Sequence, residues 1–135
     1  MWRGKVAEEL NMERHSADWM GMLATIINSL SLKAVFENAG QAAIVMNSFN
    51  VENCGEKLDP AEAIRLLVTQ TIVIFGGGTG RTHLSTDTAA AMRAKDIQAE
   101  AILMGKNNTD GVFDKDPNKY KDAKFFDTLT YEDII

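Results

Sequence analysis

The stretch FGGGTGRTHLSTD, residues 75–87, carries the densest set of anion-gripping groups in the chain. Glycines at 76, 77, 78 and 80 let the backbone take positive φ and bring its N–H groups against a phosphate. A helix opening directly afterwards adds a favourable dipole. The hydroxyls of Thr79, Thr82, Ser85 and Thr86 can meet phosphate, ribose or base edges without titrating, and Arg81 can make a bidentate phosphate contact. His83 reads as an ordinary solvated loop histidine. A plain flexible turn is the alternative, and the cluster of hydroxyls weighs against it. Two common phosphate motifs fail on counting. GxxxxGK[ST] would need glycine at 75, where Phe75 stands, and lysine at 81, where Arg81 stands, and GxGxxG fails in both registers.

A second polar stretch, GKNNTDGVFDKDP at 105–117, follows an apolar run. Phe113 can cover an adenine face while Asn107 and Asp116 meet its polar edge or a ribose, and Lys106 can offset phosphate charge. Asp-Gly and Asp-Pro also mark turns, so an ordinary surface loop explains this stretch alone equally well. Asp18 stands at an expected helix start, where it caps the helix or accepts from a ribose hydroxyl. Arg3 and Gly4, in MWRGK, read as a frayed end in a complete protein and as the tail of a glycine-rich loop in a truncated one. Cys54 and the seven methionines read as packing residues, and no metal site is expected.

These groups need elements to hold them. Apolar residues from Trp19 to Ala34 recur every three or four positions, predicting a helix over 18–38 that stops at Asn38-Ala39-Gly40. AAIVM (42–46), TIVIF (71–75) and EAILM (100–104) predict short buried strands. Asp59, Pro60 and Glu62 predict a capped helix ending near Thr69, with Glu62 closing a capping box. Ser85, Thr86 or Asp87 caps a further helix. The alternation predicts a parallel α/β sheet with right-handed connections, which places the loops at 47–58, 76–86 and 105–116 along one sheet edge. TLTYEDII starts a helix at Thr130 that stops after one turn, and no strand precedes the first helix, so a fragment is expected.

The bulk numbers set limits. The length of 135 residues suits one domain, and 45% hydrophobic with 24% charged residues is ordinary globular composition. A net charge of -5 argues against general nucleic-acid binding. One cysteine admits no internal disulfide and fits a reducing compartment. No apolar run approaches the length of a membrane span and no signal peptide is evident, so a soluble cytoplasmic protein is expected.

Taken in order, WRG, ADWMGMLAT, IVIFGGGTGRTHLSTDTAAAMRA, EAILMGKNNTDGVFDKDP and LTYEDI resemble the bacterial UMP kinases (uridylate kinases) of the amino-acid kinase family, over essentially the whole chain. The resemblance implies a three-layer α/β/α fold with a parallel sheet and ATP-dependent phosphorylation of UMP to UDP. By position, Thr79, Gly80, Arg81, Thr82, His83, Leu84, Ser85 and Thr86 match the UMP-binding loop, with Thr79 and Thr86 touching the nucleotide. Asp18 matches the residue that holds the UMP ribose. Asn107, Phe113 and Asp116 match positions contacting ATP, and Arg3 matches an arginine near the phosphates, with a catalytic role. Mg²⁺ is then held mainly through nucleotide phosphates. The family also implies a homo-hexamer, packed partly through the 18–38 helix, and regulation by GTP or UTP.

Gly77, where relatives often carry alanine, and Arg81-Thr82-His83 depart from the family pattern. The family's N-terminal lysine strand, the glycines before WRG and a C-terminal part are missing. The chain therefore reads as residues 1–135 of a single domain truncated at both ends, not expected to catalyse alone. A non-catalytic nucleotide-binding module, or a relative acting on a carboxylate or carbamate, are the competing readings.

Overall fold

The computed structural model describes residues 11–107 and 109–133. The chain forms two compact units, Met1–Ile102 and Leu103–Ile135.

Among the described residues, the first element of this unit is helix α1 (Arg14–Asn38). It starts one turn earlier than the apolar periodicity predicts, because Glu13 precedes it without any side-chain cap to announce the start. Asp18 is therefore an interior helical residue and not the N-cap. Ala17, Met22, Ile26 and Ser29 are buried along one stripe, and α1 packs on both β1 (Ala43–Asn47) and β3 (Ile72–Gly76). By length and a mean hydropathy of 1.3, α1 passes the composition test for a membrane span, which the run-length reading does not register. Its contact with the sheet gives those apolar residues a role in a core.

Strands β1 and β3 pair in parallel, Ala43 opposite Ile72 through Asn47 opposite Gly76. A two-residue strand β2 (Glu56–Lys57) pairs in parallel with the far edge of β1, giving the order β2-β1-β3. Val45 and Met46 on the central strand are each 1% exposed, a burial worth roughly 1.5–3 kcal/mol per side chain. Helix α2 (Pro60–Val68) packs on β3. Its N-cap, Asp59, accepts from the N–H groups of Ala61 and Glu62 at 2.9 and 3.2 Å. Glu62 does not close the expected capping box: its carboxylate takes a two-pronged hydrogen bond from Arg65, at 2.7 and 2.6 Å. A guanidinium one turn on is a stronger donor than the backbone N–H of the cap.

Helix α3 (Thr86–Asp96) is capped by Ser85, which accepts from the Thr88 N–H at 3.1 Å. After it, the expected strand at 100–104 does not form: residues 100–106 have no regular structure, and Leu103 is 96% exposed. A short apolar run becomes a strand only where a ladder partner meets it, and none does among the described residues.

The second unit is built on an antiparallel pair, β4 (Val112–Phe113) with β5 (Phe125–Phe126). At its end, residues 131–133 form a turn, where a helix is expected from Thr130. Asp133 accepts from both the N–H and the hydroxyl of Thr130 at 2.7 Å, and these bonds hold its carboxyl below its ordinary pKa.

Replacing Asp59 by alanine is expected to lower stability by about 1 kcal/mol, the usual worth of such a cap, read from urea unfolding of the chain. The hydrogen bond from Arg65 lowers the Glu62 pKa. Its small contribution is thus present above the unfolded carboxylate pKa and disappears as pH falls through the folded one. Arg65→Gln should move the Glu62 midpoint upward in a carboxyl NMR titration.

Candidate nucleotide loop

Parallel pairing of Asn47 with Gly76 brings the exits of β1 and β3 side by side at one sheet end. That is where ligands bind in open α/β sheets. The glycine turn leaving β3 holds Gly77, Gly78 and Gly80 at φ of 79°, 58° and 73°. No regular ladder can serve a backbone bent in this way, so its polar groups need other partners.

The partners come from two directions. From α1, the Thr25 hydroxyl oxygen accepts from Gly77 N–H at 2.9 Å while donating to Met22 O at 2.7 Å. From the β1 exit, Ser48 N–H donates to Gly76 O at 3.1 Å, and the Ser48 hydroxyl donates to Gly78 O at 2.6 Å. Gly80 N–H closes the turn on Gly77 O at 3.0 Å. A side chain on Gly80 would come within 3.1 Å of the Ser48 carbonyl oxygen, so the approach of the two loops also requires glycine there.

Beyond the turn, the Thr79 hydroxyl accepts from Arg81 N–H at 3.1 Å and donates to Arg81 O at 3.0 Å, leaving one lone pair for a ligand. His83 takes a left-handed φ of 64°, and its N–H donates to Asp18 Oδ2 at 2.7 Å. Arg81, Leu84 and Thr86 are exposed and Thr82 is half-buried. Ser85 is committed to the α3 cap, so its oxygen reaches a ligand only by sharing. The structure thus brings Asp18 together with the 79–86 loop, through a carboxylate that already holds the loop.

Thr25, Ser48 and Phe49 are absent from the sequence reading of this site. Helical spacing offers a signal for the first: Thr25 is seven residues beyond Asp18, on the same face. Phe49 sets its ring edge-to-face with Trp19, centroids 4.9 Å apart, and the Trp19 indole N–H donates to His15 Nε2 at 3.1 Å.

In the second unit, Phe113 is half-buried and packs edge-to-face on Phe125 at 5.3 Å. The Asp116 carboxylate accepts from Asn118 N–H at 3.0 Å, and its backbone carbonyl accepts from Tyr120 N–H at 2.9 Å. Both residues shape the turn that carries them. Lys115 pairs with Asp122 at 2.6 Å, and Asn107 is exposed. Arg3 and Asn108 lie outside the described residues. Among the described residues, no three His, Cys, Asp or Glu side chains gather to hold a metal ion.

A parallel α/β sheet with a clamped glycine turn and a capped helix at its carboxyl end is the arrangement in which many α/β proteins hold a phosphate. The amino acid kinase family model matches residues 2–135, and the chain belongs to the amino acid kinase family. Over all 135 residues it is 53% identical to a uridylate kinase of Limosilactobacillus reuteri (strain DSM 20016), and over 99% of its length 47% identical to one of Mycoplasmopsis pulmonis. It spans 56% of the length of each. Among solved structures, UMP kinase from Ureaplasma parvum aligns over 98% of the chain with a TM-score of 0.86 at 36% identity, covering 56% of that protein. UMP kinase from Bacillus anthracis aligns over 99% with a TM-score of 0.88 at 38% identity, covering 55%. The parallel α/β fold expected from the sequence is the fold observed.

Thr25→Val keeps the shape of the side chain and removes the acceptor of the Gly77 N–H. It is expected to cost about 1–3 kcal/mol, the penalty for an unpaired buried donor, in urea unfolding.

Proposed function

We propose that this chain is the central part of a UMP kinase domain, in which the 79–86 loop and Asp18 bind UMP and residues of the 105–117 stretch bind ATP. The observation that carries this reading is the clamped turn at 76–80 running into the capped helix α3, with Asp18 tied to its far side. The identity to uridylate kinases supports it across the whole chain. Asp18 Oδ2 accepts from the His83 N–H, and its other oxygen is assigned to a ribose hydroxyl. Thr79 and Thr86, with the main chain between them, meet the base and phosphate, and Arg81 adds positive charge. Arg3 is assigned to the transferring phosphoryl group by the family resemblance alone. Asn107, Phe113 and Asp116 serve ATP; the packing of Phe113 on Phe125 supplies a rigid aromatic edge for an adenine.

In the whole enzyme, a UMP phosphate oxygen attacks the γ-phosphorus of ATP in line and ADP leaves. An ionised phosphate needs no general base, which suits a loop whose groups are mainly hydroxyls and amides. The protein's part is positioning and charge stabilisation. Mg²⁺ is expected to be held mainly through the nucleotide phosphates.

The outward face of α1, where Leu23, Ile27 and Val35 are 43%, 64% and 61% exposed, is proposed as a subunit contact of a homo-oligomer, a hexamer by the family resemblance. GTP and UTP are the proposed regulators, and the cytoplasm the proposed location.

The test pairs binding with turnover. UMP is expected to bind the chain in calorimetry, and Asp18→Asn to weaken it by about tenfold or more, as for a hydrogen bond to a charged group. With the remaining length of the uridylate kinases restored, ADP production should depend on UMP and be poor with CMP. Equal turnover of the two rejects uridylate specificity, and binding without turnover identifies a non-catalytic nucleotide module.

A further inference from the structure

The Phe49 ring occupies the space a side chain at position 77 would need. A Cβ on Gly77 would lie 2.9 Å from Phe49 Cε1 and 3.2 Å from Cδ1. The same ring meets Trp19 edge-on, and Trp19 in turn bonds His15 one helical turn back. Phe49 is thus wedged between α1 and the glycine turn, directly beside the Gly77 N–H that donates to Thr25. Ser48, its neighbour, bonds the same turn at Gly76 and Gly78.

We propose that Phe49 is a positioning residue for the nucleotide loop, its ring, backed by Trp19, holding Gly77 in the conformation that presents the 76–80 turn. This deepens the proposed function, because the loop so held is the one assigned to UMP. The physical reason is that three left-handed residues in five give a turn many accessible conformations, and hydrogen bonds at Thr25 and Ser48 fix its polar groups but not its volume. A rigid aromatic ring does the second job at small entropic cost. The arrangement also bears on glycine at 77: a methyl group there would require the ring to move, so Gly77 and Phe49 act as one unit.

Amide hydrogen exchange of the whole chain tests this without any ligand. In Phe49→Ala the Gly77 amide is expected to exchange about tenfold faster or more, while the Val45 and Ile74 ladder amides keep their rates. Phe49→Leu, which keeps bulk against Gly77, should recover most of the protection. An unchanged Gly77 amide, or equal acceleration at Val45 and Ile74, overturns the proposal in favour of ordinary packing; should Phe49→Ala not fold, the same comparison is made with Phe49→Val.

Calorimetry with UMP reads the consequence. Gly77→Ala should weaken UMP in the Phe49 chain by a factor at least about three times greater than in the Phe49→Ala chain, since coupled neighbours are not additive. Strain at positive φ is common to both backgrounds and cancels. Equal factors overturn the coupling. If the unsubstituted chain does not bind UMP, the functional reading fails, while the exchange comparison still decides the role of Phe49.

Discussion

The hydrogen bond from Gly77 N–H to the Thr25 hydroxyl is the contact on which the candidate site rests. A turn made of left-handed residues cannot satisfy its own backbone, so its geometry is only as definite as the neighbours that receive its donors. Here the neighbours are a helix and the exit of the central strand. Because α1 also packs on β1 and β3, the support of the turn is continuous with the core, where Val45, Met46 and Ile26 are buried. The candidate loop therefore inherits its order from the helix and the core behind it. Asp18 repeats the logic at the far end, holding His83 in a conformation that a non-glycine residue seldom adopts.

Much of this was legible in the order of residues, and the failures have physical causes. Helices α2 and α3 announce themselves because Asp59 and Ser85 are local signals, and strands β1 and β3 because buried parallel strands are continuous apolar runs. Sequence signals set the start of α1 a turn too late, since Glu13 makes no side-chain cap and Asp18 looks like a cap while serving a loop 65 residues away. EAILM reads as a strand by composition alone, and pairing is not a property of a segment by itself. Two-residue strands such as β2, β4 and β5 are too short to carry a period. At the site, the glycines and hydroxyls stand out because they are consecutive. Thr25, Ser48 and Phe49 do not, because what unites them is tertiary proximity.

The two polar stretches differ in how they are built. The 76–86 loop is held from outside, by α1 and the β1 exit. The 111–126 region is held from within: Phe113 on Phe125, Lys115 on Asp122, and Asp114 accepting from the Lys124 N–H at 2.8 Å. Gly111 belongs to the same economy, since a Cβ there would lie 2.5 Å from the Phe125 ring. Substitution in the first loop is felt through the helix, and in the second through its own hairpin.

Strand β3 has a neighbour on one side only among the described residues, and its Ile72-Val73-Ile74-Phe75 run carries no charge, proline or bulge to discourage company. Such a row of amides and carbonyls on so apolar a strand suits pairing with a further extended segment.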